Sequence, residues 1–255
     1  MKRNILLTIE YDGTNFSGWQ RQPEVRTVQG TLEEALSRVC GTPIQINGTS
    51  RTDAGVHALG QRASFAGDFG IPTDRIKLAV NNMLDGGMNR RTKCSDVRIT
   101  DVQEMPEDFH ARFDSKGKKY RYVIDRGDEA DIFRRNYCYH VKSSLDVDAM
   151  RKGAGFIVGT HDFACFQAAG GNVRETTVRT VHSLEIIEKG DELLIEISGD
   201  GFLYNMVRII VGTLVEVGQG RIEPGKIEKI IEGCDRQNAG HTAPAEGLYL
   251  VEIYY

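Results

Sequence analysis

Cysteine is scarce in this chain. There are five in 255 residues (Cys40, Cys94, Cys138, Cys165, Cys234), an odd number with no close pair and no Cys-x-x-Cys spacing. That argues against a disulfide framework and against a zinc site. Long hydrophobic runs are missing as well. The longest apolar stretch, near Ile209 to Val217, is broken by Gly212, Thr213 and Glu216 and is too short to span a bilayer. Met1-Lys2-Arg3-Asn4 leads directly into an amphipathic segment with no apolar signal stretch behind it, so a cytoplasmic protein is expected. Neither sign of charge dominates: 32 Lys and Arg stand against 36 Asp and Glu, a net charge of −4 that does not announce a nucleic-acid binder. Nucleotide-binding loops are absent too. Gly153-Ala154-Gly155 and Gly170-Gly171-Asn172 do not follow strands of a βαβ unit, and no Walker sequence occurs. No low-complexity segment or flexible linker is visible.

What remains is a chain with 40% hydrophobic residues, enough core for one large or two modest domains. Its charge is unevenly spread. Between Ala111 and Arg135, eight basic residues, among them Lys118, Lys119, Arg121 and Arg126, face five acidic ones. Between Leu184 and Ser198 a single Lys faces five acids. An acidic chain can still present a basic groove to phosphates, although charge counts alone are equally met by solvated strand faces.

Periodicity predicts a strand at Asn4 to Tyr11 and a helix from about Thr27 to Cys40 with the stripe Val28, Leu32, Leu36, Val39. Strands near Ile44 to Thr49 and Gln61 to Gly67 follow, then a helix after Pro72 and a strand near Ser95 to Glu104. The second half repeats the plan. It has a strand at Lys118 to Asp125, a helix from Val147 to about Val158, a hairpin of Thr177–Glu188 with Glu192–Ser198, a helix from Leu203 to about Gly218, a short helix after Pro224 and a strand at Leu248 to Tyr255. The expectation is an α+β protein of two ferredoxin-like (βαββαβ) halves, 1–107 and 108–255, with antiparallel sheets joined over a central cleft.

One stretch is not core material. Gly48-Thr49-Ser50-Arg51-Thr52-Asp53-Ala54-Gly55-Val56-His57-Ala58-Leu59-Gly60-Gln61 sets a carboxylate, a guanidinium and hydroxyls between two strand-like segments. Gly55 permits positive φ or a close backbone approach just after Asp53. Taken alone, Thr-Asp-Ala-Gly is an ordinary turn. The eight residues Arg51 to Ala58, however, resemble the active-site motif of the tRNA pseudouridine synthases of the TruA type. Phe113-Asp114-Ser115-Lys116-Gly117-Lys118-Lys119-Tyr120-Arg121-Tyr122 resembles that family's second motif, and Gly201-Phe202-Leu203-Tyr204-Asn205-Met206-Val207-Arg208 opens its third. Tyr11 to Gln20, His161 to Phe166 and Pro244 to Leu250 match further landmarks, so the likeness runs from residue 5 to 255 in the family's order. Ser50 and Ser115 depart from it, where Gly and Ala are common, and neither puts the reaction in doubt.

The resemblance implies an enzyme that acts on uridines at positions 38 to 40 of the tRNA anticodon arm, as a homodimer, without metal or cofactor. Breaking the N1–C1′ bond of uridine asks for a carboxylate near sugar and base. Asp53 is expected to supply it, whether by attack on the ribose, attack on the ring, or removal of a ribose proton. Arg208 is expected to pair with Asp53, since a lone Arg on an otherwise apolar helix is costly unless paired. Tyr120 is expected against the target base, with its hydroxyl as a candidate to take the C5 proton after rejoining. Arg51 is expected to serve the flipped nucleotide, and Lys118, Lys119, Arg121, Arg126 and Leu248 to make further substrate contacts. His57 reads as a structural loop residue, and His161-Asp162 as a turn. The rivals are a non-catalytic RNA-binding protein of the same fold, an acid-dependent glycoside hydrolase, and a pseudouridine synthase aimed at another RNA.

Overall fold

The structure is a computed structural model that describes residues 2–86, 94–170 and 175–255. Gly171 and Asn172 of the second glycine pair therefore lie outside the described residues. The protein is α+β and divides into two compact units. One comprises residues 1–116 with 250–255, the other 117–249.

In the first unit the order is β1 (Arg3–Tyr11), α1 (Val28–Cys40), β2 (Asn47–Gly48), β3 (His57–Gly67), α2 (Thr73–Leu84) and β4 (Val97–Met105). The sheet runs β4-β1-β3, with β2 paired to β3 and every one of these pairs antiparallel. Alternation along β1 buries Ile5, Leu7 and Ile9 completely, and Val28, Leu32 and Leu36 of α1 with Ile76 and Val80 of α2 are equally buried. Thr27 starts α1 as its N-cap, its side chain accepting from the Gly30 amide, a cap worth about 1 kcal/mol. The outer edge of β4 is covered in part by α2: the Asn81 side-chain amide bonds both the amide and the carbonyl of Ile99, and Lys77 Nζ donates to the Thr100 carbonyl. The connector after β4 belongs to this unit. Asn4 donates to the carbonyls of Pro106 and Phe109, and the Lys116 amide donates to the Tyr254 carbonyl.

The second unit contains β5 (Gly117–Asp125), β6 (Tyr139–His140), α3 (Val147–Gly155), β7 (Gly159–Asp162), β8 (Val178–Lys189), β9 (Glu192–Gly199), α4 (Met206–Gly218) and α5 (Lys226–Gly233). Its strands run β5-β9-β8-β7, with β6 parallel to β5. The last strand, β10 (Leu248–Tyr254), starts here and ends among the residues of the first unit, where an added Cβ at Gly60 would collide with the Val251 carbonyl. Helix α4 is buried nearly all round, and Gly212 is where a backbone passes: a Cβ there would strike the His241 carbonyl. All five cysteines are free. Among the described residues no helix is long and apolar enough to cross a membrane, and no group of three His, Cys, Asp or Glu converges to hold a metal.

Candidate active site

Asp53 sits on the turn between β2 and β3, half-exposed, with Arg51 exposed beside it. The turn closes through Gly55 at φ 81°, and the Val56 amide donates to the Asp53 carbonyl at 3.2 Å. The Tyr11–Gln20 segment holds it from outside. The Trp19 amide donates to the Thr52 carbonyl at 3.0 Å, and the Tyr11 hydroxyl lies 2.6 Å from Thr52 Oγ1. Two glycines make this approach possible. A Cβ at Gly13 would run into the Val56 carbonyl, and Gly18, at φ +85°, would bring one within 2.8 Å of the Thr52 carbonyl. His57 is buried and accepts the Gly13 amide at Nδ1, 3.0 Å away, which is a structural use of the ring.

Gln61 is a residue that sequence reasoning left without a role. Fully buried, it accepts from the Ser50 amide at 3.2 Å and donates to the Ser50 carbonyl at 2.5 Å. An isolated Gln in a strand carries no signal of this. The outcome is a turn whose backbone polar groups are paired on both sides of Asp53, so the carboxylate is presented by a fixed frame.

The other expected residues lie in the second unit. Tyr120 on β5 is 6% exposed and meets Phe202 edge-on at 5.3 Å, opposite Ile197 in register. Lys119 and Arg121 emerge on the other face and converge on Glu196; Arg121 bonds it through Nε and Nη2 at 2.8 and 2.6 Å. Burial pushes the Glu196 carboxyl up, but the hydrogen bonds and charges of Lys119 and Arg121 outweigh this and hold it below its ordinary value. Arg126 bonds Glu188 at 3.1 Å and the Gly190 carbonyl at 2.9 Å. Lys118 is half-buried, and Leu248 is buried at the start of β10.

Arg208 lies in the first turn of α4. Asn205, at φ 59°, turns the chain into the helix and accepts from Arg208 Nη1 at 2.9 Å, while Nε donates to the Ala243 carbonyl at 2.7 Å. The next carbonyl, that of Pro244, accepts the Tyr122 hydroxyl at 2.7 Å. Burial pushes the Tyr122 hydroxyl well above its ordinary value, with Arg208 opposing in part, so it stays a neutral donor. Arg208 and Tyr122 thus fix the Ala243-Pro244 segment that leads into Leu248. His161 and Asp162 are not the expected turn but the end of strand β7, in register with Arg179 and Val178; Asp162 accepts the Ala164 amide and the Thr177 hydroxyl as the chain leaves the strand.

The model of the family described as tRNA pseudouridine synthase matches residues 7–114 and 155–255. The chain belongs to this family. It is 50% identical over 254 residues to tRNA pseudouridine synthase A of Ruminiclostridium cellulolyticum, covering 99% of this chain and all of that protein. It is 48% identical to the protein of the same name from Acetivibrio thermocellus, again over 99% of this chain and all of the relative. For the Brevibacillus brevis protein the identity is 49%, over the full length of both. As a TruA-type tRNA pseudouridine synthase, the protein is an isomerase that modifies tRNA. The matched stretches contain Asp53 and Arg208, whereas Tyr120 and the cations Lys118 to Arg126 fall between them.

Proposed function

We propose that the protein converts uridines at positions 38, 39 and 40 of the tRNA anticodon arm to pseudouridine, with Asp53 as the reacting carboxylate. The observation that carries this reading is the frame around Asp53: a half-exposed acid on a turn in which Ser50 is hydrogen-bonded to Gln61 of β3, Thr52 to Tyr11 and Trp19, and Val56 to the Asp53 carbonyl. In the reaction the N1–C1′ bond breaks, C5–C1′ forms, C5 loses its proton and N1 gains one. Uracil is a competent leaving group and atoms balance within the nucleotide, so we assign no cofactor and no metal. Asp53 attacks the ribose or the ring, or takes a ribose proton; each route uses the same fixed carboxylate.

The target must leave the helical stack, at a cost of a few kcal/mol. Arg51, exposed on the turn, fills the gap or holds the flipped phosphate. Arg208 orients Asp53 and keeps it ionised, Tyr120 lines the base, and Leu248 completes its apolar surround. Lys118, Lys119, Arg121 and Arg126 contact phosphates, which position RNA without reading sequence. We read the two units as ferredoxin-like halves with a cleft over their sheets, and the working enzyme as a cytoplasmic homodimer, which doubles the basic surface of an acidic chain.

The test is incubation of purified protein with an unmodified transcript carrying uridines at 38 to 40, with tritium release from C5-labelled uridine mapped by adduct sequencing. Asp53→Asn is expected to lose release by on the order of a thousand-fold or more with folding and tRNA binding intact. Release at other positions would move the substrate, and an active Asp53→Asn would remove Asp53 from the chemistry.

A further inference from the structure

Phe113 is a large apolar side chain, 74% exposed, and it is held out rather than left loose. Its amide and that of Asp114 both donate to the His110 carbonyl, at 3.1 and 3.0 Å. The Asp114 carboxylate accepts the His110 amide at 2.7 Å, and His110 Nδ1 accepts the Arg112 amide at 3.1 Å. On this turn the His110 ring lies 4.3 Å from the Phe113 ring, and the Arg112 guanidinium carbon is 5.7 Å from it. An exposed phenyl ring framed by an imidazole and a guanidinium presents a stacking face beside a positive charge.

The turn is also tied to the frame of Asp53. Buried Ala111 donates its amide to Ser64 Oγ at 3.1 Å, and its carbonyl accepts Thr49 Oγ1 at 3.0 Å and the Tyr255 hydroxyl at 2.9 Å. Thr49 directly follows β2 and precedes Ser50-Arg51, and Ser64 lies on β3, so the platform and the Asp53 turn are anchored in the same part of one unit.

We propose that His110, Arg112 and Phe113 form a stacking platform for an unpaired tRNA base next to the target uridine, with Phe113 stacking and Arg112 meeting the adjoining phosphate. Every base has a π-face, so such a platform tolerates any sequence. The inference rests on tRNA being the substrate but not on which uridine reacts.

The experiment measures affinity of the intact protein for an unmodified tRNA transcript across a salt series, for wild type, Phe113→Tyr, Phe113→Leu and Arg112→Ala. Phe113→Leu keeps apolar area and loses the ring: affinity is expected to fall on the order of ten-fold with an unchanged salt slope. Phe113→Tyr should stay within about two-fold, since its ring still stacks. Arg112→Ala should flatten the slope by about 0.9, one phosphate contact. Wild-type affinity in Phe113→Leu overturns the platform, and so does a change of oligomeric state in that variant, which would give the ring to a second copy. Pseudouridine formed by wild type at positions other than 38 to 40 revises the substrate reading alone.

Discussion

The Asp53 turn and strand β5 are held by opposite means. Around Asp53 the work is done by close backbone approach and neutral hydrogen bonds: Gly13 and Gly18 let the opening segment touch the turn, and Tyr11, Gln61 and His57 fill in the polar groups. Along β5 and the segment that follows it, it is done by charge: Lys119 and Arg121 of the strand meet at Glu196, and beyond its end Arg126 reaches Glu188 and Arg134 pairs with Glu192. A turn built on sterics leaves Asp53 half-exposed and geometrically defined. A strand built on ion pairs keeps its cations partly neutralised within the fold, so eight basic residues between Ala111 and Arg135 amount to much less than eight free charges.

Arg208 sets a charged donor on neutral acceptors, and its loss should be the most damaging outside Asp53. Arg208→Met strips the Ala243 carbonyl and Asn205 of their donor, costing about 2 kcal/mol of stability. On the proposed role of Arg208 in orienting Asp53, tritium release should drop to background; a fully active variant would separate Arg208 from Asp53. Gly13→Ala comes next. The new methyl collides with the Val56 carbonyl, and the opening segment must retreat from the turn. A displacement near 1 Å is expected to lower the rate on the order of a hundred-fold while tRNA affinity holds. If turnover survives this change, the glycine contact is not what sets the carboxylate.

These contrasts explain what was legible beforehand. The stripe Val28, Leu32, Leu36 and the alternation in β1 repeat over many residues, and both emerge as core, although Val39, the last of the expected stripe, is only half-buried. Ends were less visible. Helix α4 begins at Met206 rather than Leu203 because Asn205 adopts a left-handed backbone, and α3 stops at Gly155, short of Val158. Strand β3 starts at His57, inside the motif, and only Asn47–Gly48 remains of the expected strand from Ile44. Strands β6 and β7 are too short to show a period. At the site, the motif marked Asp53, but nothing in the sequence pairs Gln61 with Ser50 or Glu196 with two cations 75 or more positions before it, because such partners are set by the fold.

Glu196 offers a sharper test of the charged half. Glu196→Gln should cost about 1–2 kcal/mol at neutral pH, as a mostly buried hydrogen-bonded partner of two cations is lost. The folded carboxyl is held below its ordinary value of 4.5, so its stabilisation is full above that value and disappears as pH falls through the folded one. Wild type and variant should therefore converge in melting temperature only below pH 4.5. Freed of their partner, Lys119 and Arg121 should also steepen the salt dependence of tRNA binding, by about 0.9 per new phosphate contact. A flat response would keep both cations as scaffold alone.

The smallest effect is expected at Arg126, where scaffold and ligand roles are hardest to tell apart. Its guanidinium ties the β8–β9 hairpin through Glu188 and the Gly190 carbonyl, and Glu188 is also bonded by Arg151. With a second arginine on the same carboxylate, Arg126→Ala should cost only about 0.5–1 kcal/mol, the usual worth of a surface pair. If the side chain also touches a phosphate, the salt slope of tRNA binding should fall by about 0.9 with affinity down a few-fold. The two readouts move independently. Lost stability with an unchanged slope would make Arg126 a hairpin tie, and the charge-built strand would then contribute its geometry, rather than this cation, to RNA.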